Sequence, residues 1–139
     1  MTVITKVLEL STRGSADIVE ITRAVAAAVE ESTLLSGTVT VFTPSATSAL
    51  TTLEYESGCI EDLQRLFDQI ANPVQHYAHN ARWGDGNGHS HVRAALLGPS
   101  LTIPFVDGSL TLGTWQQIIF VDFDNRVRER RLIVTLTGE

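Results

Sequence analysis

The first third of the chain pairs a strand pattern with a helix pattern. In residues 3–10, apolar and β-branched side chains alternate loosely with polar ones, which predicts a strand with one buried face. In residues 16–31, apolar side chains recur at the spacing of one helical face. Ser15 is a candidate N-cap for this helix, and Asp17 would lie favourably in its first turn. The chain is therefore expected to open with a strand and an amphipathic helix.

The middle of the chain again shows strand patterns followed by a helix pattern. Residues 38–43 and 47–53 are rich in β-branched and apolar side chains, and they flank Pro44, which has no N–H to give to a sheet. A second amphipathic stripe follows and ends before Pro73. Its apolar members are Ile60, Leu63, Leu66, Phe67 and Ile70. This region predicts two strands and a second helix.

Residues 75–91 show no sustained apolar period. Their glycine-rich centre, residues 84–88, can take backbone angles that other residues avoid, so we predict a loop. On an extended segment, side chains two positions apart point to the same side. His89 and His91 are therefore expected to face one site.

The last third predicts strands at 100–105, 114–123 and 131–137, with turn-forming residues between them. Strands and helices do not alternate regularly, which disfavours a doubly wound nucleotide-binding fold. We expect an α+β fold, in which a mainly antiparallel β-sheet or sandwich is packed with two main helices. A length of 139 residues suits a single domain spanning residues 1–139.

Composition and charge exclude several classes of protein. Hydrophobic residues make up 43% of the chain, so it is not a disordered protein. A net charge of -6 with only 10 Lys and Arg provides no basic face for nucleic acid. No apolar run is long enough to cross a bilayer, and the single cysteine, Cys59, cannot form an intrachain disulfide. We expect a cytoplasmic protein with neither nucleic acid nor membrane as a partner.

All four histidines of the chain lie in one short window, which also holds Asp85: His76, His79, His89 and His91. Neutral imidazole is the commonest protein ligand for zinc and similar metals, and carboxylates complete such sites. A metal site is one interpretation of this window. Because the spacing matches no standard motif, polar side chains on an exposed loop are an equally good explanation.

Candidates outside this window have structural explanations beside the chemical ones. Glu54 follows a strand and is a candidate acid or base. Trp115 is expected in the core or in an interface, where aromatic side chains bury large areas. The apolar residues 118–121 would suit a subunit interface. The basic cluster could bind phosphate, but we favour the solvated end of a hairpin for it; it comprises Arg126, Arg128, Arg130 and Arg131.

Several blocks of the sequence together resemble one family. They are His91-Val92-Arg93-Ala94-Ala95-Leu96-Leu97-Gly98-Pro99, then Leu112-Gly113-Thr114-Trp115-Gln116, the arginines of 128–131 and the final Gly138-Glu139. On these blocks the chain resembles the YjbQ family, UPF0047, over residues 3–139. The resemblance implies a compact α+β fold and a homotrimer.

The resemblance also implies an activity. Some members of the family have a weak, secondary thiamine-phosphate synthase activity, in which a pyrimidine diphosphate is joined to a thiazole phosphate and pyrophosphate is expelled. The expected substrate is then a small phosphorylated molecule. A divalent metal such as zinc, magnesium or nickel would assist the reaction.

By the same resemblance, individual residues receive roles. His79 and His91 match histidines of the family and are the expected metal ligands. Asp85 matches a loop aspartate and would be a ligand or a general base. Glu54 matches a family glutamate and is a further catalytic candidate. Arg93 stands where lysine is usual and would stabilise charge.

One departure from the family pattern bears on the metal. The family usually has a histidine where this chain has Ser45. A three-histidine site that used this position would lack one ligand here, and His89 is the residue that could replace it. Two alternatives to the transferase therefore stay open: a non-catalytic protein that binds a small anion or serves assembly, with a degraded metal site, and a metal-dependent hydrolase of another substrate.

Overall fold

The computed structural model describes all residues from Met1 to Glu139. Helices and strands follow one another in the order β1 (Thr2–Thr12), β2 (Asp17–Glu20), α1 (Thr22–Ser32), β3 (Gly37–Phe42), β4 (Ser48–Leu53), α2 (Ser57–Ile70), α3 (Ala78–Trp83), α4 (Gly88–Leu97), β5 (Ser100–Val106), β6 (Ser109–Leu110), β7 (Gln117–Asp122) and β8 (Arg128–Gly138). None of the helices is both long enough and apolar enough to cross a membrane.

The strands form two antiparallel sheets. The larger sheet has the order β1-β8-β3-β5-β6, and the smaller has the order β2-β7-β4. Every strand pairing in both sheets is antiparallel. The α+β class predicted from the sequence is confirmed, although the sheets carry four helices and not two.

Each sheet builds its own hydrophobic core. The larger sheet packs its inner face against α1, where Val25 and Val29 share one core with side chains such as Val39 and Val134. The smaller sheet packs against α2 and α4, with the rings of Phe67 and Phe123 edge to face at 4.7 Å. Burying one such side chain stabilises the fold by about 1.5–3 kcal/mol.

Strand β7 belongs to both cores. Ile118 and Phe120 join the core of the larger sheet, and Ile119 and Val121 join the core of the smaller sheet. All four side chains are fully buried. Successive side chains of a strand point to opposite faces, so one strand can fill two cores. The expectation that residues 118–121 contribute to an interface was therefore wrong.

The helix predicted over residues 16–31 is divided in the structure. The residues predicted as its first turn form strand β2, which pairs with β7. Helix α1 begins only at Thr22. Ser15 does not cap a helix, because it lies in a left-handed turn and its amide N–H donates to the Asp124 carbonyl at 2.6 Å. Asp17 instead accepts from the backbone N–H of Arg13 at 2.9 Å. Apolar spacing alone could not separate a short strand from the helix that continues it.

The loop predicted over residues 75–91 contains two short helices. Helix α3 ends at Gly84, whose φ of +73° is the left-handed conformation that favours glycine. Helix α4 starts at Gly88, where a Cβ would lie 2.5 Å from Tyr77 Cβ. Side chains two apart on a helix diverge by about 200°. His89 and His91 therefore do not face one site, as an extended segment would require.

The connection before β7 also differs from prediction. The strand expected from residue 114 begins at Gln117, because residues 113–116 form a turn in which the Gln116 N–H donates to the Gly113 carbonyl at 3.0 Å. Trp115 is 71% exposed on this turn. It is therefore not a core residue.

Candidate functional site

Helices α3 and α4 bring three of the predicted site residues together. His79 lies on α3, Asp85 on the connection between the helices and His91 on α4. His79 Nε2 lies 3.3 Å from Asp85 Oδ1, and the rings of His79 and His91 are 4.3 Å apart between centroids. We call these residues the histidine cluster.

The histidine cluster is open on one side. The Asp85 side chain is 46% exposed and the His79 side chain 30% exposed. Burial, and next the neighbouring His79, lower the pKa of His91 below its ordinary value. His91 is therefore a neutral imidazole at neutral pH, with a lone pair for a proton or a metal.

Asn87 lies between the histidine cluster and the interior. One end of its amide is 3.1 Å from His79 Nε2, and the other is 3.4 Å from Asp124 Oδ1. Sequence reasoning gave Asn87 no role, although the run Gly-Asp-Gly-Asn-Gly marks the segment as unusual. An uncharged amide carries no chemical signal until its neighbours are known.

A buried ionic network lies beneath Asn87. Arg130 donates to both oxygens of Asp122, at 2.7 and 2.9 Å, and Arg128 Nε donates to Asp124 at 2.9 Å. Asp122 is fully buried, and Asp124 is only 1% exposed. We call these four residues the aspartate–arginine network. The preference for a solvated basic cluster was therefore wrong for Arg128 and Arg130.

Asp124 stays ionised in this network. Its burial alone would favour the neutral acid. Hydrogen bonds from the Asn125 backbone N–H, from Arg128 and from Asn87 outweigh burial and lower the pKa of Asp124 below its ordinary value. The network therefore carries fixed charges of both signs.

Ser45 connects the network to His91. Arg130 Nη1 donates to Ser45 Oγ at 2.9 Å. Ser45 and His91 line one cavity of about 330 Å³. Ser45 thus lies beside His91, and its hydroxyl is bound to a guanidinium.

A second cavity opens on the other side of Asn87. It has a volume of about 360 Å³ and contains no apolar lining residue. Arg126 is exposed at its wall, whereas Arg128 is half buried. The residues lining it are Asp85, Asn87, Asp124, Asn125, Arg126 and Arg128. The cavity therefore combines two guanidinium groups and amide donors with two carboxylates.

The structure places His89 and Arg93 away from the histidine cluster. His89 is 5% exposed and packs against Tyr77, and its Nδ1 has no hydrogen-bond partner. Burial, and next the charge of Arg93, lower the pKa of His89. Arg93 donates from Nε and Nη2 to the Ala71 carbonyl at 3.0 and 2.9 Å, so it holds α4 against the end of α2.

Glu54 is also remote from the histidine cluster. In the register of β4 with β7, Ser48 lies opposite Asp122 and Leu53 lies opposite Gln117. Glu54 follows Leu53, so it lies at the far end of β4 from the aspartate–arginine network. His76 is exposed on the segment before α3.

The surroundings of Asp85 offer a divalent metal an incomplete set of ligands. No three His, Cys, Asp or Glu side chains of the chain are placed to hold a metal ion. His79 and Asp85 supply one imidazole nitrogen and one carboxylate oxygen, both donors that divalent metals accept. The Asn87 amide next to them is best satisfied with its NH2 group donating to Asp85, so it adds no ligand atom.

Comparison with protein families agrees with the fold. The family model described as UPF0047 protein YjbQ-like matches residues 6–139. A UPF0047 protein of Methanothermobacter thermautotrophicus is 37% identical over 139 residues, which are 100% of this chain and 95% of that protein. A UPF0047 protein of Archaeoglobus fulgidus is 39% identical over 127 residues, which are 91% of this chain and 96% of that protein.

Solved structures of similar proteins have the same architecture. A YbjQ-like protein of unknown function from Sulfolobus solfataricus superposes with a TM-score of 0.94 at 32% identity, covering 99% of each chain. A hypothetical protein from Aeropyrum pernix superposes with a TM-score of 0.91 at 30% identity, covering 98% of this chain and 99% of that one.

Proposed function

Because this chain belongs to the YjbQ-like UPF0047 family, we propose that it is a metal-assisted enzyme that acts on a small phosphorylated molecule. The observation that carries the proposal is the convergence of His79, Asp85 and His91 beside a polar cavity that Arg126 and Arg128 line. Two imidazoles, a carboxylate and two guanidinium groups suit chemistry at a phosphate or diphosphate.

The specific reaction that we propose is the formation of thiamine phosphate. The bond between the pyrimidine's methylene carbon and a diphosphate oxygen breaks, and a bond from that carbon to the thiazole nitrogen forms. Pyrophosphate leaves with the electron pair. A divalent metal bound by His79 and Asp85, with His91 beside them, would neutralise charge on the leaving diphosphate.

The chain's own residues have distinct tasks in this proposal. Asp85 and His79, whose Oδ1 and Nε2 atoms are 3.3 Å apart, would hold the metal together. His91, a neutral imidazole, is available as a metal ligand or as a proton acceptor. Arg126 and Arg128, which line the polar cavity, would bind the phosphate oxygens of the substrate.

The proposal is tested by assaying the purified chain for thiamine phosphate from the two phosphorylated substrates, with magnesium, zinc or nickel present. We expect product with the original chain, and a loss of at least about 100-fold with His91→Ala or Asp85→Ala, typical of an acid–base or metal-binding group. The matched control is His76→Ala, which removes an exposed histidine outside the histidine cluster.

Three results would change the proposal. Unchanged product with His91→Ala would remove His91 from the mechanism. Absence of product under every condition, with pyrophosphate binding retained in a calorimetric titration, would favour the anion-binding alternative. Hydrolysis of phosphate esters without thiamine phosphate formation would favour the hydrolase.

We also propose that the chain assembles as a homotrimer. Large apolar side chains remain exposed on α4, at Val92 and Leu96, and on the outer face of the larger sheet, at Val7 and Phe42. Such side chains commonly become buried in subunit interfaces. Light scattering on the purified protein should give three times the 15.1 kDa chain mass, and a monomer mass would contradict the proposal.

A further inference from the structure

A third cavity, of about 300 Å³, lies between strands β4 and β5. It shares no lining residue with the histidine cluster or with the two cavities beside that cluster. Its lining includes the buried side chains of Leu50 and Ile103, and it contains no charged side chain. We call it the strand-edge cavity. A charged ligand would find no partner of opposite charge there, so the cavity suits a neutral molecule.

One side of the strand-edge cavity is the free edge of β4. The Leu50 N–H donates to the Gly98 carbonyl at 3.1 Å and not to β7. Alternate residues of an antiparallel strand direct their backbone groups to the same side, so the N–H and C=O of Thr52 also point away from β7. Gln116 holds this edge in place, since its Nε2 donates to Thr52 Oγ1 at 3.3 Å.

The other side of the strand-edge cavity is the free edge of β5. The Pro104 carbonyl accepts from the Thr111 N–H at 3.1 Å, on the side away from β3. By the same alternation, the N–H and C=O of Thr102 lie on this side. The Thr102 hydroxyl is 2.8 Å from Thr40 Oγ1 on the outer face of the larger sheet. Since β4 and β5 do not pair, the backbone groups of Thr52 and Thr102 have no strand partner.

The length of these edges distinguishes between two kinds of ligand. An extended peptide that adds to a sheet needs a run of alternate residues with free N–H and C=O groups. Among the residues of β4 that line the cavity, only Thr52 has both groups free, because the Leu50 N–H is already used. On β5, Pro104 has no N–H to give. A flat group with one donor beside one acceptor needs only a single such residue.

We propose that the strand-edge cavity binds a neutral planar heterocycle that carries an N–H donor beside an acceptor, as pyrimidine and purine bases do. The apolar side chains of the cavity contact the faces of the ring. The backbone N–H and C=O groups of Thr52 and Thr102 exchange hydrogen bonds with its edges. This site is independent of the proposed function, because none of its residues belongs to the histidine cluster.

The proposal is tested with uracil and adenine, by following the backbone amide signals of the isotope-labelled chain in nuclear magnetic resonance spectra. At least one of the two bases should shift the signals of Thr52 and Thr102 in a saturable manner. Uracil methylated on both ring nitrogens keeps the ring but has no N–H donor, so it should bind at least about 10-fold more weakly than uracil. No saturable shift with either base, or equal binding of uracil and its dimethyl derivative, would overturn the proposal.

A backbone variant tests the edge of β5 directly. Thr102→Pro removes the free N–H, and Pro104 in the same strand shows that this edge accommodates proline. The base that binds should bind this variant at least about 10-fold more weakly. Thr102→Val is the matched control, because it keeps the N–H and removes only the hydroxyl, and it should bind as the original chain does. Equal losses in both variants would contradict the backbone contact. The dimethyl derivative needs no variant, so that comparison decides even if Thr102→Pro does not fold.

Two further probes test the class of ligand. A blocked Val-Thr-Val peptide that shifts the Thr52 and Thr102 signals when neither base does so would show that the edges take a strand, and it would overturn the proposal. Pyrophosphate should leave both signals unchanged, because no charged side chain lines the strand-edge cavity. A saturable shift of both signals with pyrophosphate would contradict the preference for a neutral ligand.

Discussion

Two neighbouring groups of charged side chains differ in how they are compensated. In the aspartate–arginine network, Asp122 and Asp124 are buried and each is paired with an arginine. In the histidine cluster, Asp85 is half exposed, and its contact at ion-pairing distance is with the His79 ring and not with an arginine. A buried charge must be paired for the fold to be stable, whereas an open, incompletely paired charge keeps capacity for a ligand. The network therefore supports the fold, and the histidine cluster is where the proposed chemistry would take place.

The largest effect on stability is expected from Asp122→Ala. This change leaves Arg130 partly buried without its bidentate partner, so the free energy of unfolding should fall by about 3–5 kcal/mol. Urea unfolding followed by circular dichroism measures it. Asp85→Ala is the comparison within the histidine cluster and should change stability by less than about 0.5 kcal/mol. Equal losses of unfolding free energy in the two variants would show that the two regions do not differ in their contribution to stability.

A smaller loss is expected from Gly14→Ala. Gly14 has a φ of +80°, and an added Cβ would lie 2.5 Å from the Asp124 carbonyl oxygen. The backbone strain and the clash should destabilise the chain by about 1–3 kcal/mol. Gly113→Ala is the matched control, because its Cβ would meet only the Gln116 side chain at 3.7 Å or more. A Tm equal to that of the original chain would contradict the prediction.

The imidazoles of His89 and His91 should make the free energy of unfolding depend on pH. The pKa values of His89 and His91 are lowered in the folded chain, so below the ordinary value of 6.5 the unfolded chain binds more protons. This contribution to stability is complete above about pH 6.5 and is lost as the pH falls towards the lowered values. Asp124, also with a lowered pKa, adds a loss below its ordinary 3.8.

Substitution of His89 tests how much of this pH dependence comes from its imidazole. His89→Gln should flatten the fall in the free energy of unfolding between pH 7 and 5, because it removes one of the two imidazoles. His76→Gln, at an exposed position, should leave the slope as it was. Denaturant unfolding at a series of pH values gives both slopes. Identical slopes for the original chain and His89→Gln would exclude His89 as a source.

The smallest effect on stability is expected from His79→Ala. The ring is partly exposed and contributes little to either core, so the Tm should change by no more than that of a typical surface variant, equivalent to about 0.5 kcal/mol. Product formation should nevertheless be lost. A large fall in Tm without loss of product formation would contradict the roles given to the two regions.

Much of the fold could be predicted from the sequence because each long element has a clear period. The alternation in residues 3–10 and the apolar stripe ending before Pro73 correspond to β1 and α2. The region around α3 and α4 could not be predicted, because helices of 6 and 10 residues separated by glycines have too few turns to show a period. Strand β2, with only four residues, was also too short to show its own period and was predicted as part of the helix that follows it.

The candidate site could be predicted only as far as the residue type itself indicates chemistry. His79, Asp85 and His91 could be chosen because imidazole and carboxylate groups are visible in any sequence. Asn87 could not, since its importance comes from the two carboxylates on either side of it. His89 was misplaced with His91 because its direction depends on the helix that contains both.

The sharing of β7 between the two cores bears on how the protein melts. Ile118 and Phe120 cannot leave one core without pulling Ile119 and Val121 out of the other. Neither half of the molecule can then open alone, and partly unfolded forms gain little population. Heat should denature this chain in one all-or-none step, with calorimetric and van't Hoff enthalpies that agree.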